Sequence, residues 1–515
     1  MNRLTALLLA SLLLLLAGCA ANPVTGKKEL TLLSQSAEIG LGQEYYAPTR
    51  QTEGGDYVLD PALTSYVQEI GQRVAAQSDR PLPYEFSLLN NSVPNAWALP
   101  GGKIAINRGL LLEMGSEAEL AAVIGHEIVH AAARHGAQNM ERGMLMQGAV
   151  AAIAIASSES QYADLAVGAA SIGAGLISQR YSRSAELEAD HYGILYMHRA
   201  GYDPSAAVDL QQTFVRLSEG RQQNWLNGLF ASHPPSQERV EANRETIRTL
   251  GLTGGEMGRE RYQQRIAGLK SSKPAYDAYD QGRAALEKGD SAAALRLAEQ
   301  AIRLEPREGI FYGLKGDALT ERKDLRGAEA AYNQAIARNP QFFAHHLNRG
   351  MVRNQLGNQN GARSDLERSL QLLPTANANY LLGELAFTRG NRQQALGFFK
   401  AAADSNSSAG RQSRQRLAEI DLPANPHNYL HTTLQQRSDG SLWVEVHNRS
   451  EVTVRRVQVD VGRDSGRTLS ESRPYHFAQA IAPNQRASLR THLNDIPRDQ
   501  LRTWGSRAVR AEVVR

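Results

Sequence analysis

From about Lys273 onward the chain repeats itself every 34 residues, and no other feature narrows its fold as far. Pro306, Pro340 and Pro374 share that spacing, as do Gly282, Gly316 and Gly350, with Gly383 one residue short. Ala294, Ala328, Ala362 and Ala395 each follow their glycine by twelve residues. Ala301, Ala335 and Ala402 mark a second small position, held by Ser369 in the remaining copy. Small residues at fixed offsets suit the crossing of two helices, and a proline suits the end of a unit. A helix pair of this kind cannot bury its apolar face alone. Stacked copies can, and the stack leaves a concave groove.

This pattern resembles the tetratricopeptide repeat, which implies four copies over residues 273–405, an α-solenoid, and a protein partner in the groove. The 515 residues are too many for one core, and about three domains are expected. Hydrophobic residues at 42% and charged residues at 21% are ordinary for a soluble globular protein. A net charge of +4 with no basic, aromatic-interleaved stripe excludes a dedicated nucleic-acid binder. Beyond residue 425 the patterning changes to period two, at Ser441–Val446 and again around Val454, Val457, Val459 and Val461. Ala487–Leu493 and Ala508–Val514 are further strand candidates, and a small all-β sandwich over 425–515 is expected.

At the other end, Arg3 precedes a leucine-rich run from Leu4 to Leu16 that is too short to span a bilayer. It reads as a secretory signal over residues 1–18. The closing Leu16-Ala17-Gly18-Cys19 resembles the bacterial lipobox, which implies cleavage before Cys19 and a lipid on that residue. Ala20 in the next position is similar to lipoproteins sorted to the outer membrane, so a periplasmic, lipid-anchored chain is expected. Cys19 is the only cysteine, so no intramolecular disulfide can form. Residues 19–43 are expected to be a polar tether.

The chemistry lies in residues 44–268. Leu120, Val123, Ile124, Ile128 and Val129 give Glu117–His135 a helical apolar stripe. Within it stands His126-Glu127-Ile128-Val129-His130. Residues four apart share a helical face, so both imidazoles can reach one metal ion, with Glu127 beside them as a base for water. A third ligand is required. Ala133 and Gly136 stand where the extended three-histidine pattern needs glycine and histidine, so the ligand must come from further on. The segment Ser182–Asp190 offers candidates.

Together, HEIVH and Glu186-Leu187-Glu188-Ala189-Asp190 resemble the Ste24-type (M48) zinc metallopeptidases. Asn22-Pro23-Val24-Thr25-Gly26 and Asn95–Gly102 belong to the same likeness. The resemblance implies a mainly helical, zincin-type α+β domain holding one zinc ion. Its ligands would be His126, His130 and Glu186, with Glu127 as base. Asp190, one turn after Glu186, can fix the tautomer of a ligand histidine. Glu188 is expected to face solvent, and helix geometry argues against ligation by His191. His233, in Ser232-His233-Pro234-Pro235, is open between two roles: a donor to the developing oxyanion, or a fourth ligand that closes the site. Arg239 follows it in a pattern similar to the family's.

Gly102–Asn107 alternates and leads into the zinc helix. An exposed edge here, with Asn95, Ala96, Ile104, Ala105 and Ile106, is expected to accept substrate backbone by strand addition. The alanine- and glycine-rich stretch 148–177 is expected to be a lid. Protease, repeats and lipid anchor together imply cleavage of misfolded envelope proteins, outer-membrane β-barrels among them. The alternative is a non-catalytic or latent scaffold acting through the repeats.

Overall fold

The computed structural model describes residues 19–147, 175–177, 180–219, 228–466, 468–493, 496–497 and 500–514. The signal segment and most of the expected lid lie outside them. Two units divide the chain, Met1–Pro374 and Thr375–Arg515.

In the first unit a hairpin of β1 (Cys19–Ala21) and β2 (Lys28–Leu30) precedes α1 (Gln35–Thr52) and α2 (Pro61–Ala75). The expected tether is therefore a packed element. Asn22 Nδ2 donates to the carbonyl of Ala133, and the buried Glu38 pairs with Arg80 at 2.9 Å and Arg134 at 2.5 Å. Arg134 also reaches Glu141 at 3.0 Å, so these charges are compensated where they are buried.

Three strands follow: β3 (Glu85–Leu89), β4 (Ala96–Leu99) and β5 (Lys103–Asn107). The sheet order is β3-β5-β4, with β5 parallel to β3 and antiparallel to β4. This corrects the edge expected at Gly102–Asn107. Ile104, Ala105 and Ile106 lie in the central strand, fully buried, with both edges paired. Alternation in a sequence marks the faces of a strand and says nothing about its neighbours. The edge strands are β3 and β4; β4 holds Ala96, and Asn95 immediately precedes it.

Helices complete the catalytic region: α3 (Glu117–Ala132), α4 (His135–Gln147), α5 (Arg183–Arg199), α6 (Ser205–Glu219) and α7 (Gln237–Thr249). Three of them begin at serine caps. Ser116, Ser182 and Ser236 each accept a backbone N–H from three residues on, at 3.2 Å.

The repeats form helix pairs. In this unit they are α8 (Ala267–Glu287) with α9 (Ser291–Leu304), α10 (Gly309–Glu321) with α11 (Leu325–Arg338), and α12 (Phe343–Gln355) with α13 (Gln359–Leu372). The recurrent glycines are needed for contact. A Cβ on Gly316 would lie 2.5 Å from the Tyr332 ring and one on Gly282 would lie 2.7 Å from Leu314. The recurrent Ala294, Ala328 and Ala362 are fully buried.

The second unit holds a further pair, α14 (Ala376–Thr388) and α15 (Arg392–Ala403), then α16 (Ser408–Asp421). Two antiparallel three-stranded sheets follow. One is ordered β10-β7-β6, from β6 (Leu430–Gln436), β7 (Leu442–Asn448) and β10 (Arg486–Arg490). The other is β11-β8-β9, from β8 (Val454–Asp464), β9 (Leu469–Phe477) and β11 (Trp504–Val513). Val444, Val446, Val457, Val459 and Val461 fill the core between them.

Candidate metal centre

The catalytic helices meet at two glycines. A Cβ on Gly125 of α3 would stand 2.7 Å from the carbonyl oxygen of Gly193 in α5, and one on Gly193 would stand 2.9 Å from the backbone nitrogen of His126. Only glycine permits this approach. It brings the first turn of α5, with Glu186, opposite His126 and His130. Neither glycine stood out in the sequence, because only the crossing gives them meaning.

His126, His130, Glu186 and His233 converge, each buried, with one donor atom apiece inside a 4.8 Å sphere of mutual distances. His130 Nε2 lies 3.0 Å from His126 Nε2 and 3.3 Å from Glu186 Oε1. His233 Nδ1 is 3.2 Å from His126 Nε2 and 3.0 Å from Glu186 Oε1. Four donors around tetrahedral zinc are separated by about 3.4 Å, given Zn–N and Zn–O bonds near 2.0–2.1 Å. The set fits that ion in identity, number and spacing.

Each histidine of the metal motif is held from behind. Asp190 Oδ1 lies 2.9 Å from His126 Nδ1, leaving Nε2 for the metal. Asp190 is clamped by Arg239, whose Nε and Nη2 each sit 2.7 Å from a carboxylate oxygen. Arg239 Nη1 is 2.7 Å from Glu186 Oε2, so one guanidinium orders both carboxylates.

His130 has a separate support. Its Nδ1 is 2.9 Å from His135 Nδ1, and His135 Nε2 is 3.2 Å from Glu188 Oε1. Glu188 therefore does not simply face solvent, which corrects the expectation from helical spacing. The partner residue, His135, starts α4 and so lies off the extrapolated helix. Tyr181 stacks on the His130 ring at 3.9 Å between centroids. His191 turns away to Thr246, 3.0 Å from its hydroxyl.

Electrostatics separates the two central carboxylates. Burial pushes Glu127 above the usual carboxylate range, with His233 and His126 opposing it. Burial also acts upward on Glu186, but His233, Arg239 and His126 outweigh it and hold that carboxyl well below the usual range. Burial lowers His130 well below an ordinary imidazole, which favours the neutral form a metal requires. Burial would lower His233 too, yet Glu186 and Glu127 raise it. Glu127 Oε2 is buried with no hydrogen-bond partner among the described residues. It is free to take a proton.

Beside His126 and Glu127 lies a small recess of about 30 Å³, walled by Val123, Ile194, Leu210, Phe214 and Leu229. The described residues include no helix long and apolar enough to cross a membrane.

Comparison with known proteins agrees with this geometry. Peptidase family M48 matches residues 61–247, and a tetratricopeptide repeat family matches 279–341, 321–377 and 347–410. The beta-barrel assembly-enhancing protease of Escherichia coli is 31% identical over 229 residues, covering 42% of this chain and 45% of that protein. The mitochondrial metalloendopeptidase OMA1 of Schizosaccharomyces pombe is 31% identical over 229 residues, 44% of this chain and 65% of its own. Metalloprotease YcaL of E. coli is 32% identical over 171 residues, 32% of this chain and 63% of its own. The match thus spans less than half of the first relative and under two thirds of the others. Residues 61–247 thus match peptidase family M48, and the residues after them match tetratricopeptide repeats.

Proposed function

We propose that this chain is a zinc-dependent endopeptidase. The observation that carries the reading is the buried His126, His130 and Glu186 set with the base Glu127 at its side. Zinc held there supplies a Lewis acid toward the attacking water and the scissile carbonyl. Glu127 takes the proton from that water and returns it to the leaving amine. Its raised affinity for protons suits both steps. Asp190, fixed by Arg239, keeps His126 in one tautomer, and His135 with Glu188 does the same for His130. The recess of about 30 Å³ has room for only a small apolar group, and β4, one of the two sheet edges, is where an extended backbone would add.

His233 supplies the second reading. Its Nδ1 completes a four-donor set, and a histidine there would occupy the position that substrate and water need. We take this as a latent resting state, opened when the loop bearing His233 moves. In that state the chain acts through its repeats alone.

The proposed clients are misfolded or misassembled envelope proteins, including outer-membrane β-barrels, recruited by the repeats. A lipidated Cys19 would hold the enzyme at the periplasmic face of the outer membrane. Support comes from the lipobox-like segment and from the names of the relatives. The test is digestion of an unfolded β-barrel protein by the zinc-loaded chain and its His233→Ala variant. An intact client with both, at full zinc occupancy, would refute the protease reading.

A further inference from the structure

Between the catalytic region and the first repeats of the same unit lies a second cavity, of about 490 Å³. One wall is the end of α1 and the loop after β3; the other is the last turns of α8, with Ile310 and Phe342. Its charged groups are not equivalent. Arg108 is held by Asn90 at 2.8 Å and Ser92 at 2.6 Å, and its guanidinium lies 3.3 Å from the centre of the Tyr276 ring. Arg283 pairs with Asp317 at 3.5 Å and Glu287 at 3.9 Å. Asp280 faces Arg108 and bonds Ser92.

Glu53 differs from all of these. It lines the cavity with only 7% of its surface exposed, and its carboxylate has no hydrogen bond or ion pair among the described residues. It forms the cap of α1, and its carbonyl, not its carboxylate, accepts from Asn91. A carboxylate withdrawn from water with nothing opposite it is costly, and it either takes a proton or awaits a cation. Burial does push the Glu53 carboxyl up, to about 7.

We infer that this cavity receives an ammonium group on an aliphatic stem, a lysyl side chain of a bound polypeptide, with Glu53 as its counter-ion. The shape of the wall agrees. Ile310 and Phe342, 5% and 2% exposed, line the same cavity as Glu53 and give the methylenes an apolar wall. Counting Glu53, Asp280 and Glu287 against Arg108 and Arg283 leaves one uncompensated negative charge, and Glu53 is the group without a partner. An anion at this point would have to compete for Arg108 and Arg283 with pairs already made. The cavity is walled by both the catalytic region and the first repeats, so a segment anchored here would be held against the protease region. In that respect the inference rests on the reading of the chain as a client-cleaving enzyme.

Binding is tested on the full zinc-loaded chain carrying Glu127→Gln, so that cleavage plays no part in the readout. Two capped alanine pentapeptides, with lysine or norleucine at the centre, are titrated by calorimetry. The lysine peptide is expected to bind at least about tenfold more tightly, the scale of one partly buried charge pair. Adding Glu53→Gln is expected to abolish that preference. Displacement by 1,5-diaminopentane would assign recognition to the amine alone. Failure to displace would assign part of it to the peptide backbone. Equal binding of the two peptides, no binding of either, or a preference that survives Glu53→Gln overturns the inference. The peptide comparison uses an unaltered cavity, so it decides the matter even if Glu53→Gln folds poorly. An intact client with both the unsubstituted zinc-loaded chain and its His233→Ala variant, with the lysine preference intact, would count against the protease reading alone.

Discussion

His233 Nδ1 stands 3.0 Å from Glu186 Oε1, so a loop histidine and a helical carboxylate present their donors to one point. If that histidine closes the site, its removal should activate. His233→Ala is expected to keep zinc and to cleave an unfolded client about tenfold faster than the wild type, a barrier change near 1.4 kcal/mol. Single-turnover digestion with zinc quantified in the same sample checks this. Loss of zinc would make His233 a structural ligand instead.

Asp190 and Glu188 steady different histidines, so they should fail separately. Asp190→Asn is expected to weaken zinc binding by about 10- to 100-fold. Glu188→Gln, acting through His135, is expected to lie at or below the lower end of that range. Competition with a zinc chelator measures both without relying on catalysis.

The crossing of α3 and α5 should tolerate no added methyl. Gly193→Ala would place a Cβ 2.9 Å from the His126 backbone nitrogen, against backbone that cannot yield cheaply. A loss of about 1–3 kcal/mol is expected, together with weaker zinc binding. Urea unfolding of the zinc-loaded chain reports the first effect and chelator competition the second.

Glu53 predicts a pH-dependent stability difference. Its folded pKa, near 7, exceeds the ordinary value of 4.5 for the unfolded chain. The folded state therefore binds more protons between these values, and the stability of the wild type falls as pH rises through that window. Glu53→Gln lacks this term. Its advantage should be absent below about pH 4.5 and fully developed above about pH 7, on the order of 3 kcal/mol. Urea unfolding at pH 5 and pH 8 gives the comparison, and an advantage independent of pH would contradict it.

Features set by local spacing were readable in the sequence. His126 and His130 share a face because they are four apart, and the repeat positions recur because each copy has the same crossing. The contacts of Glu188 with His135 were not readable, since they depend on how far apart α3 and α5 lie. That distance is set by Gly125 and Gly193, two glycines with no local signature. The place of β5 at the sheet centre was hidden for a similar reason, as pairing partners lie outside the strand. Strands β6 and β9 escaped notice because LHTTLQQ and LSESRPYHF bury few side chains, so no apolar alternation marks them.

The central claim is that this buried set holds zinc for peptide hydrolysis with Glu127 as the base. The direct measurement is zinc content and cleavage of an unfolded β-barrel protein by His233→Ala, with and without Glu127→Gln. The account predicts one zinc per chain in both, cleavage by the first, and loss of cleavage with zinc retained in the second. Equal cleavage by the two, or no cleavage by a fully zinc-loaded His233→Ala, would contradict it.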